Sequence, residues 1–359
     1  MHVYPVAAAE RDRFVLDRRG PRPIHDPGRH QGVIVDDEPD RSGEIVRVAT
    51  IFLAGRECSW RCVMCDLWRH TIEEDTPRGA IPHQISQAVA ELRARPEQFP
   101  THVKLYNAGS FFDPRAVPID DYESIAEQLT STFSHVIVES HPGLIGERVD
   151  RFQDALALVA ARGEPACPSD VEGRRAQDER VGPSGASISL EVAMGLETAH
   201  ADALEQLHKR MTLDQFARAA EELQARGIAL RVFLLVHPPF IPAEEQDEWL
   251  LRSVDFAFNC GASVVSLIPT RFGNGALDAL ADANLFYGPH LSDLERAFAA
   301  ALLRSRGRVF ADLWDLDRFI DCTTCAAARR DRLAQMNLSQ RASPPIACAD
   351  CGSEAWHRD

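Results

Sequence analysis

Cys58-Ser59-Trp60-Arg61-Cys62-Val63-Met64-Cys65 places three thiols within eight residues, directly after an apolar, strand-like run at Val48–Leu53. Thiolates are soft ligands that suit both iron–sulfur clusters and zinc. Three protein ligands leave one metal position open, and an open position is where chemistry takes place. The stretch therefore predicts an iron–sulfur cluster with one open iron or, as the alternative, a zinc site completed by a residue elsewhere.

Two CxxC pairs near the end of the sequence form a second cysteine group. The four thiols belong to Cys322, Cys325, Cys348 and Cys351. Paired knuckles separated by 22 residues are typical of a four-cysteine metal site. We favour structural zinc, with an auxiliary iron–sulfur cluster as the alternative. The helix pattern between the pairs carries Arg329, Arg330, Arg332 and Arg341, a local basic surface for RNA or simply a solvated helix face.

The composition is that of a globular protein with an acidic balance. The 359 residues are 45% hydrophobic and include 39 basic and 54 acidic side chains, which gives a net charge of −15. This sign argues against a generic electrostatic grip on nucleic acid, which requires a basic surface. No apolar run of about 18 residues is present, so we expect no membrane span.

Targeting and cysteine usage together indicate a cytoplasmic protein. The first 30 residues are polar and arginine-rich without an apolar centre, so we expect no secretory signal. The nine cysteines fall mostly in pairs and triplets, which indicates metal ligation in a reducing compartment rather than a disulfide framework.

From about residue 46 onward, short β-type runs alternate with helical patterns. Six βα units predict an α/β fold with parallel strands, a partial (β/α)6 TIM-like barrel. An open doubly wound sheet is less favoured, because no glycine-rich nucleotide fingerprint follows the first strand. The predicted strands are Val48–Leu53, Val103–Tyr106, His135–Glu139, Ser187–Glu191, Ala229–Val236 and Ser263–Ile268. The predicted helices lie near Ile81–Ala94, Asp120–Phe133, Glu147–Arg162, Leu213–Arg226, Ala243–Asn259 and Leu291–Arg306.

The same patterns divide the chain into three parts. We predict an extended N-terminal arm at 1–45, a core at 46–280, and a C-terminal extension at 281–359 that carries the CxxC pairs. Within the core, the polar segment 163–186 is predicted to be a loop insertion in which Cys167 is incidental rather than a ligand.

Polar residues follow each predicted strand, at the edge where ligands of such sheets bind. The second strand leads into Asn107-Ala108-Gly109-Ser110, where small residues let a backbone approach a ligand closely. The other runs are Glu139-Ser140-His141-Pro142, Gly195-Leu196-Glu197-Thr198, His237-Pro238-Pro239-Phe240 and Pro269-Thr270-Arg271-Phe272. Their agreement in position with the cysteine loop predicts a common pocket.

With these motifs in place, the stretch from Thr50 to about Leu280 resembles the radical S-adenosylmethionine (SAM) superfamily. It is similar to the branch that contains the Elongator catalytic subunit and the radical SAM subunit of archaeosine synthase. The stretches that carry the resemblance are Ile51-Phe52-Leu53, Arg56-Glu57-Cys58, Cys65-Asp66-Leu67-Trp68, Asn107–Pro114, Glu139-Ser140, Gly195-Leu196-Glu197-Thr198 and Leu234–Phe240. Met64 departs from the aromatic residue that is usual there, and the Asn107–Ser110 turn departs from the usual Gly-Gly-Glu.

The resemblance implies a role for each position. Cys58, Cys62 and Cys65 would hold a [4Fe–4S] cluster whose open iron is chelated by SAM. The residues implied in SAM binding are Asn107, Ala108, Gly109, Ser110, Glu139, Ser140, Glu191, Val236 and Pro269. His141 and His237 face the same rim and are candidates for contact with substrate or, equally, structural residues.

The resemblance also implies the reaction and its partners. A reduced cluster would cleave SAM to a 5′-deoxyadenosyl radical that abstracts hydrogen from substrate, with flavodoxin or ferredoxin as electron donor. The resemblance implies that the substrate is a base in tRNA, whereas the acidic net charge favours a small molecule or peptide. The alternative from a different class is a non-catalytic iron–sulfur or zinc-binding protein.

Overall fold

Eight strands form one curled sheet in which the spatial order follows the chain. The computed structural model describes residues 4–95, 99–163, 188–304 and 306–352. Strand β1 runs antiparallel to β2, and β2 to β8 are parallel to one another. The strands are β1 (Gly32–Pro39), β2 (Ile45–Phe52), β3 (His102–Tyr106), β4 (His135–Glu139), β5 (Ser189–Glu197), β6 (Ala229–Val236), β7 (Val264–Pro269) and β8 (Arg308–Ala311).

Helices connect and cover these strands, as parallel crossovers require. They are α1 (Ala8–Leu16), α2 (Ala80–Arg93), α3 (Tyr122–Thr130), α4 (Glu147–Gly163), α5 (Ala201–Gln206), α6 (Leu213–Ala225), α7 (Gln246–Asn259), α8 (Ala276–Asp282), α9 (Leu291–Leu302) and α10 (Thr323–Ser339). The predicted α/β class with a TIM-like, partly closed barrel is confirmed. No helix within the described ranges has both the length and the apolar sequence needed to cross a membrane.

The two faces of the sheet differ in chemistry, because successive side chains in a strand point to opposite sides. One face packs against the helices through fully buried side chains such as Ile51, Leu105 and Val232. The other face is polar near the amino ends of the strands. Glu38 of β1 pairs there with Arg231 of β6, at 3.3 Å. Since β1 and β6 are not neighbours, this ion pair shows how strongly the sheet curls.

The N-terminal segment packs onto the carboxyl edge of the sheet. Tyr4 and Phe14 are buried with Val63 of the cysteine loop and with Leu235 of β6. Full burial of a side chain of this size contributes about 1.5–3 kcal/mol. The expectation of an extended arm over 1–45 therefore omitted a helix, α1, and a strand, β1.

The C-terminal segment is joined to the same sheet. β8 pairs with β7, and α10 lies against its outer edge. Asn337 bonds both backbone groups of Ala311 at 2.9 Å, and Gln340 bonds both backbone groups of Val309 at 2.8 and 2.9 Å. These two amides occupy hydrogen-bonding groups that an edge strand would otherwise expose.

The prediction of a basic surface between the CxxC pairs is wrong for Arg329 and Arg332. Arg329 and Arg332 are buried, and both pair with the buried carboxylate of Glu295 on α9. Arg330 pairs with Asp317. Because two guanidiniums must be neutralised when they leave water, they face Glu295 rather than solvent. The predicted loop insertion at 163–186, including Cys167, lies outside the described residues apart from Gly163.

Candidate active site and metal centre

The cysteine loop lies at the carboxyl edge of the sheet and is held by neighbouring loops. The Val63 N–H donates to the Leu207 carbonyl at 3.0 Å, and the Asn274 amide donates to the Val63 carbonyl at 2.7 Å. The Arg61 guanidinium donates to the Cys58 carbonyl at 2.6 Å. The loops that follow β5 and β7 thus fix the conformation of the cysteine loop.

The thiols of this loop are suited to a soft cation. Burial raises the pKa of Cys62 to about 12, raises that of Cys58, and raises that of Cys65 well above its usual range. Buried thiolates therefore require a compensating positive charge, which a bound metal or cluster provides. Three soft donors on one loop fit an iron–sulfur cluster with an open iron.

The turn after β3 lies against the start of the cysteine loop. A side chain at Gly109 would come within 3.5 Å of the Arg56 carbonyl and 3.6 Å of the Cys58 N. Ala108 adopts a left-handed conformation, with φ of 52°. Asn107 is fully buried, and neither amide atom of its side chain has a hydrogen-bond partner among the described residues.

Glu139, the last residue of β4, organises this turn. Its carboxylate accepts the Asn107 N–H at 2.9 Å and faces the N–H groups of Ala108 and Gly109. Burial raises the pKa of Glu139 to about 7, although these N–H groups act in the opposite direction. The predicted residues Asn107 to Gly109 and Glu139 are thus in direct contact with each other beside the cysteine loop.

Ser110, Ser140 and His141 tie the loop after β4 to its surroundings. The His141 N–H donates to Ser110 Oγ at 2.9 Å, and Ser140 Oγ donates to the His141 carbonyl at 3.2 Å. His141 Nδ1 accepts the Gly143 N–H at 3.0 Å, and its Nε2 lies 3.0 Å from the Lys209 carbonyl. Both ring nitrogens of His141 are therefore already engaged within the protein.

A buried ion pair that the sequence interpretation missed lies beside the same loop. Lys209 bonds the carboxylate of Glu197, the last residue of β5. Burial alone would lower the pKa of Lys209, but Glu197 and the neighbouring Cys62 and Cys58 thiols raise it overall. Gly195 leaves room for this ion pair, because a side chain there would lie 2.5 Å from Lys209 Nζ and would displace it. Glu197 lies in the stretch Gly195–Thr198 that carries the family resemblance, but no sequence signal pointed to Lys209.

Glu191 lies elsewhere, which corrects the predicted role in SAM binding. The predicted strand ended at Glu191, whereas β5 continues six residues further, roughly 20 Å along the strand. Glu191 bonds Arg231 Nε at 2.6 Å and lies 3.5 Å from His135 Nε2. Burial alone would raise its pKa, but Arg231 and His135 hold it well below the usual range. Glu191 thus belongs to the charged layer at the amino ends of the strands.

Val236 and Pro269 end β6 and β7 and lie opposite each other in the sheet. The Val236 carbonyl accepts both the N–H and the hydroxyl of Thr270, at 3.2 and 2.8 Å. His237, next along the chain after β6, has a φ of 54° and lies 4.0 Å from Asp293. Burial lowers the pKa of His237. Val236, Pro269 and His237 therefore lie at the predicted edge.

The four C-terminal cysteines form a compact group. The sulfurs of Cys322, Cys325, Cys348 and Cys351 all lie within 4.8 Å of one another. Sγ–Sγ distances are 3.9 Å for Cys322–Cys348 and 3.8 Å for Cys325–Cys351. A tetrahedral ion with Zn–S bonds of about 2.3 Å separates its sulfurs by about 3.8 Å. Arg329 donates to Cys325 Sγ at 3.1 Å. The group can hold a metal ion.

Comparison with known proteins places this site among relatives. No protein-family model matches the chain. Archaeosine synthase subunit beta of Methanosarcina acetivorans is 22% identical over 336 residues, which cover 88% of this chain and 86% of that protein. An uncharacterised protein of Methanocaldococcus jannaschii is 23% identical over 264 residues. These cover 71% of this chain and 64% of that protein, less than two thirds of its length.

Solved structures with a similar fold match this chain more loosely. Elp3 of Methanocaldococcus infernus has a TM-score of 0.49 at 11% identity, covering 71% of this chain and 59% of that one. HemN of Escherichia coli, a radical SAM coproporphyrinogen III oxidase, has a TM-score of 0.42 at 12% identity, covering 75% and 58%. Because both scores lie below 0.5, the identification rests on the sequence motifs and on the near full-length relative.

The cysteine loop and the strand-end residues resemble those of radical SAM enzymes. The resemblance to the Elongator and archaeosine synthase branch is confirmed by the similarity to archaeosine synthase subunit beta, and this similarity indicates an enzyme.

Proposed function

We propose that Cys58, Cys62 and Cys65 hold a [4Fe–4S] cluster and that the adjoining turn binds SAM at its open iron. Once reduced by an external electron donor, a cluster held by these cysteines would supply one electron to the SAM sulfonium, and the cleavage would give methionine and a 5′-deoxyadenosyl radical able to abstract hydrogen from substrate. The observation that carries the proposal is that the Gly109 turn lies directly against the cysteine loop, with the Arg56 carbonyl and the Cys58 N 3.5 and 3.6 Å from the position of a Cβ on Gly109.

The chain's own residues would divide the work of binding. Glu139 holds the Asn107–Ser110 turn and can pair with an ammonium, as a carboxylate does. The unpaired amide of Asn107 offers a donor and an acceptor to a ligand or an ordered water. Ser140, Val236 and Pro269 border the same edge, and His237 is the remaining candidate for contact with substrate. Glu197 and Lys209 fix the loop after β5 beside the thiols.

The substrate class that we favour is a base in RNA. The support is the near full-length similarity to archaeosine synthase subunit beta. The net charge of −15 favours the second candidate, a small molecule or peptide. A comparison of tRNA nucleosides from wild-type and deletion cells distinguishes them, since an unchanged nucleoside profile contradicts the RNA substrate.

The C-terminal cysteines favour a single zinc ion over an auxiliary cluster. Four sulfurs within 4.8 Å can share one tetrahedral ion, whereas the thiolates of a cluster bind different irons and lie further apart. Arg329, held by Glu295, would orient Cys325 as a hydrogen-bond donor. Both thiol sites need a reducing compartment such as the cytoplasm, and the proposed [4Fe–4S] cluster also needs a low-potential electron donor such as flavodoxin or ferredoxin.

Anaerobic reconstitution tests both metal sites in one protein. Iron, sulfide, SAM and a reductant should yield 5′-deoxyadenosine from wild type. The Cys62→Ala variant should lose the cluster and this product and keep about one zinc per chain. Cys348→Ala should lose the zinc and keep the cluster absorbance. Wild-type protein that carries a cluster and makes no 5′-deoxyadenosine under reducing conditions would contradict the proposal.

A further inference from the structure

Tyr106 and Phe233 close the interior of the curled sheet. Tyr106 ends β3 and Phe233 lies in the middle of β6, and although these strands are not neighbours, the two rings lie 6.0 Å apart at 89°. Below them lies the charged layer of Glu38, Glu191 and Arg231, in which each group has an oppositely charged partner. A substrate that reaches the cysteine loop must therefore bind at the carboxyl edge, above this aromatic pair.

Trp314 is exposed at that edge. Its side chain is 52% exposed, although indole is normally well buried. It lies three residues beyond β8 and packs on Phe52, the last residue of β2, with ring centroids 5.3 Å apart. Phe52 leads directly into the cysteine loop. One face of an aromatic pair thus remains open to solvent at the carboxyl edge of the sheet.

Arg271 is fixed to the backbone of Trp314. Arg271 Nη2 donates to Asp312 Oδ2 at 2.5 Å and to the Trp314 carbonyl at 3.3 Å. The Asp312 carboxylate also accepts the backbone N–H of Trp314, at 3.0 Å. Arg271 Nε is buried without a hydrogen-bond partner among the described residues. The guanidinium is thus held in place through Nη2, and its Nη1 forms no hydrogen bond with any described residue.

The loop that carries Arg271 also contacts the cysteine loop. Asn274 donates to the Val63 carbonyl at 2.7 Å, and Arg69 donates to the Gly273 carbonyl. A ligand on Trp314 and Arg271 would consequently lie beside residues that hold the cysteine loop. This continuity distinguishes the Trp314 surface from an aromatic residue exposed on an outer helix.

We propose that Trp314 and Arg271 bind the nucleobase of the substrate, with Trp314 stacking on its face and Arg271 donating to its acceptor edge. An indole face and an in-plane guanidinium are the groups by which proteins hold an unstacked base. This inference rests on the proposed RNA substrate, and it names the residues that select it. The bonds of Arg271 to Asp312 and to the Trp314 carbonyl hold the guanidinium beside the Trp314 backbone.

The test measures RNA binding, so it does not depend on turnover. Reconstituted enzyme with SAM is titrated against a fluorescent tRNA transcript under anaerobic conditions. Trp314→Ala should weaken Kd about tenfold, as the loss of one stacked base does. Trp314→Phe keeps the packing on Phe52 and should weaken Kd about threefold. Arg271→Lys keeps the charge facing Asp312 but loses the planar fork, and should weaken Kd about tenfold.

Trp249→Phe is the matched control, because Trp249 lies on helix α7 with Arg252 over its ring. Its Kd should stay within twofold of wild type. The Tm should be close to wild type for Trp314→Phe, and Trp249→Phe should also keep the wild-type rate of substrate-free 5′-deoxyadenosine production.

The outcomes separate this inference from the proposed function. Wild-type binding of tRNA with unchanged Kd in Trp314→Ala overturns the Trp314 site and leaves the RNA substrate standing. Cleavage of SAM without any binding of tRNA by wild type overturns both the RNA substrate and this site. Binding of tRNA that weakens as expected in protein that cannot cleave SAM supports the site and contradicts the radical reaction.

Discussion

The imidazole of His141 stacks on the indole of Trp60, with 3.8 Å between ring centroids and 15° between the ring planes. Trp60 lies between Cys58 and Cys62, and His141 follows β4. The contact therefore joins the cysteine loop to the neighbouring strand end. Burial, with the Lys209 ammonium nearby, lowers the pKa of His141 to about 3. The ring is neutral at physiological pH and acts as a flat, hydrogen-bonded support.

His141→Phe should keep the stacking on Trp60 and hence most of the cluster. His141→Ala should lose the stacking and, with it, part of the cluster. Aromatic pairs contribute about 0.5–1.5 kcal/mol beyond their buried area, and each ring hydrogen bond contributes about 1 kcal/mol. We therefore expect His141→Ala to be destabilised by about 2.5–3.5 kcal/mol in chemical unfolding and to retain less iron. Normal iron in His141→Phe with abolished turnover would instead identify His141 as a proton-transfer residue.

Removing one partner of the Glu197–Lys209 ion pair should destabilise the folded protein more than removing both. Lys209→Met leaves a buried carboxylate unpaired, which costs about 3–5 kcal/mol. The double variant Glu197→Gln/Lys209→Met removes both charges and should regain much of that stability. The measurement is a double-mutant cycle by urea unfolding of the apoprotein. The exposed pair Arg252–Glu248 is the control, with an expected coupling below about 1 kcal/mol. Equal couplings in the two pairs would contradict burial as the cause.

The strand pattern was predictable because parallel strands covered by helices are nearly continuous apolar runs. His135–Glu139 and Ala229–Val236 match their predictions at both ends. β1 and β8 were missed for different reasons. The second half of β1 carries Asp36, Asp37 and Glu38, acidic residues that conceal a strand until the cross-sheet partner Arg231 is known. β8 has only four residues, too few for a pattern.

The candidate site likewise has one part that the sequence could predict and one part that it could not. The cysteine triplet and the turn after β3 are local in sequence, so their proximity could be predicted from strand order. The separation of Glu191 from the edge depends on where β5 ends, and a register shift near Gly195 extends that strand to Glu197. Lys209 and Trp314 are single residues in loops, and their positions are set by contacts with distant parts of the chain.

Glu191→Gln should leave SAM affinity unchanged and lower stability. Glu191 shares Arg231 with Glu38, whose pKa is lowered to about 2 by Lys104 and Arg231 against the effect of burial. Removing the Glu191 charge weakens a hydrogen-bonded buried pair, and we expect a loss of about 2–3 kcal/mol. SAM binding by equilibrium dialysis, compared with a Glu139→Gln variant, checks the distinction. A selective loss of SAM affinity in Glu191→Gln would restore its originally predicted role.

Glu139 should make the folded protein less stable as the pH rises from about 4.5 to 7. Its pKa is raised to about 7 in the native state by burial, so the native state holds a proton that the unfolded chain has already released. The stabilisation is complete below the pKa that Glu139 has in the unfolded chain. It is lost as the pH rises past the pKa that Glu139 has in the folded protein. Relative to Glu139→Gln, wild type should lose up to about 3 kcal/mol across this window.

Urea unfolding of the apoprotein at about pH 5, 6, 7 and 8 measures that loss for wild type and Glu139→Gln. The matched control is Glu147→Gln, because Glu147 is exposed at the start of α4 and pairs with Arg151. Its difference from wild type should stay below about 0.5 kcal/mol at each pH. Since the amide oxygen introduced by Glu139→Gln can still accept the Asn107 N–H, the turn should persist and the comparison isolates the charge. Parallel stability curves for wild type and Glu139→Gln would mean that the turn's three N–H groups fully compensate the burial of this carboxylate.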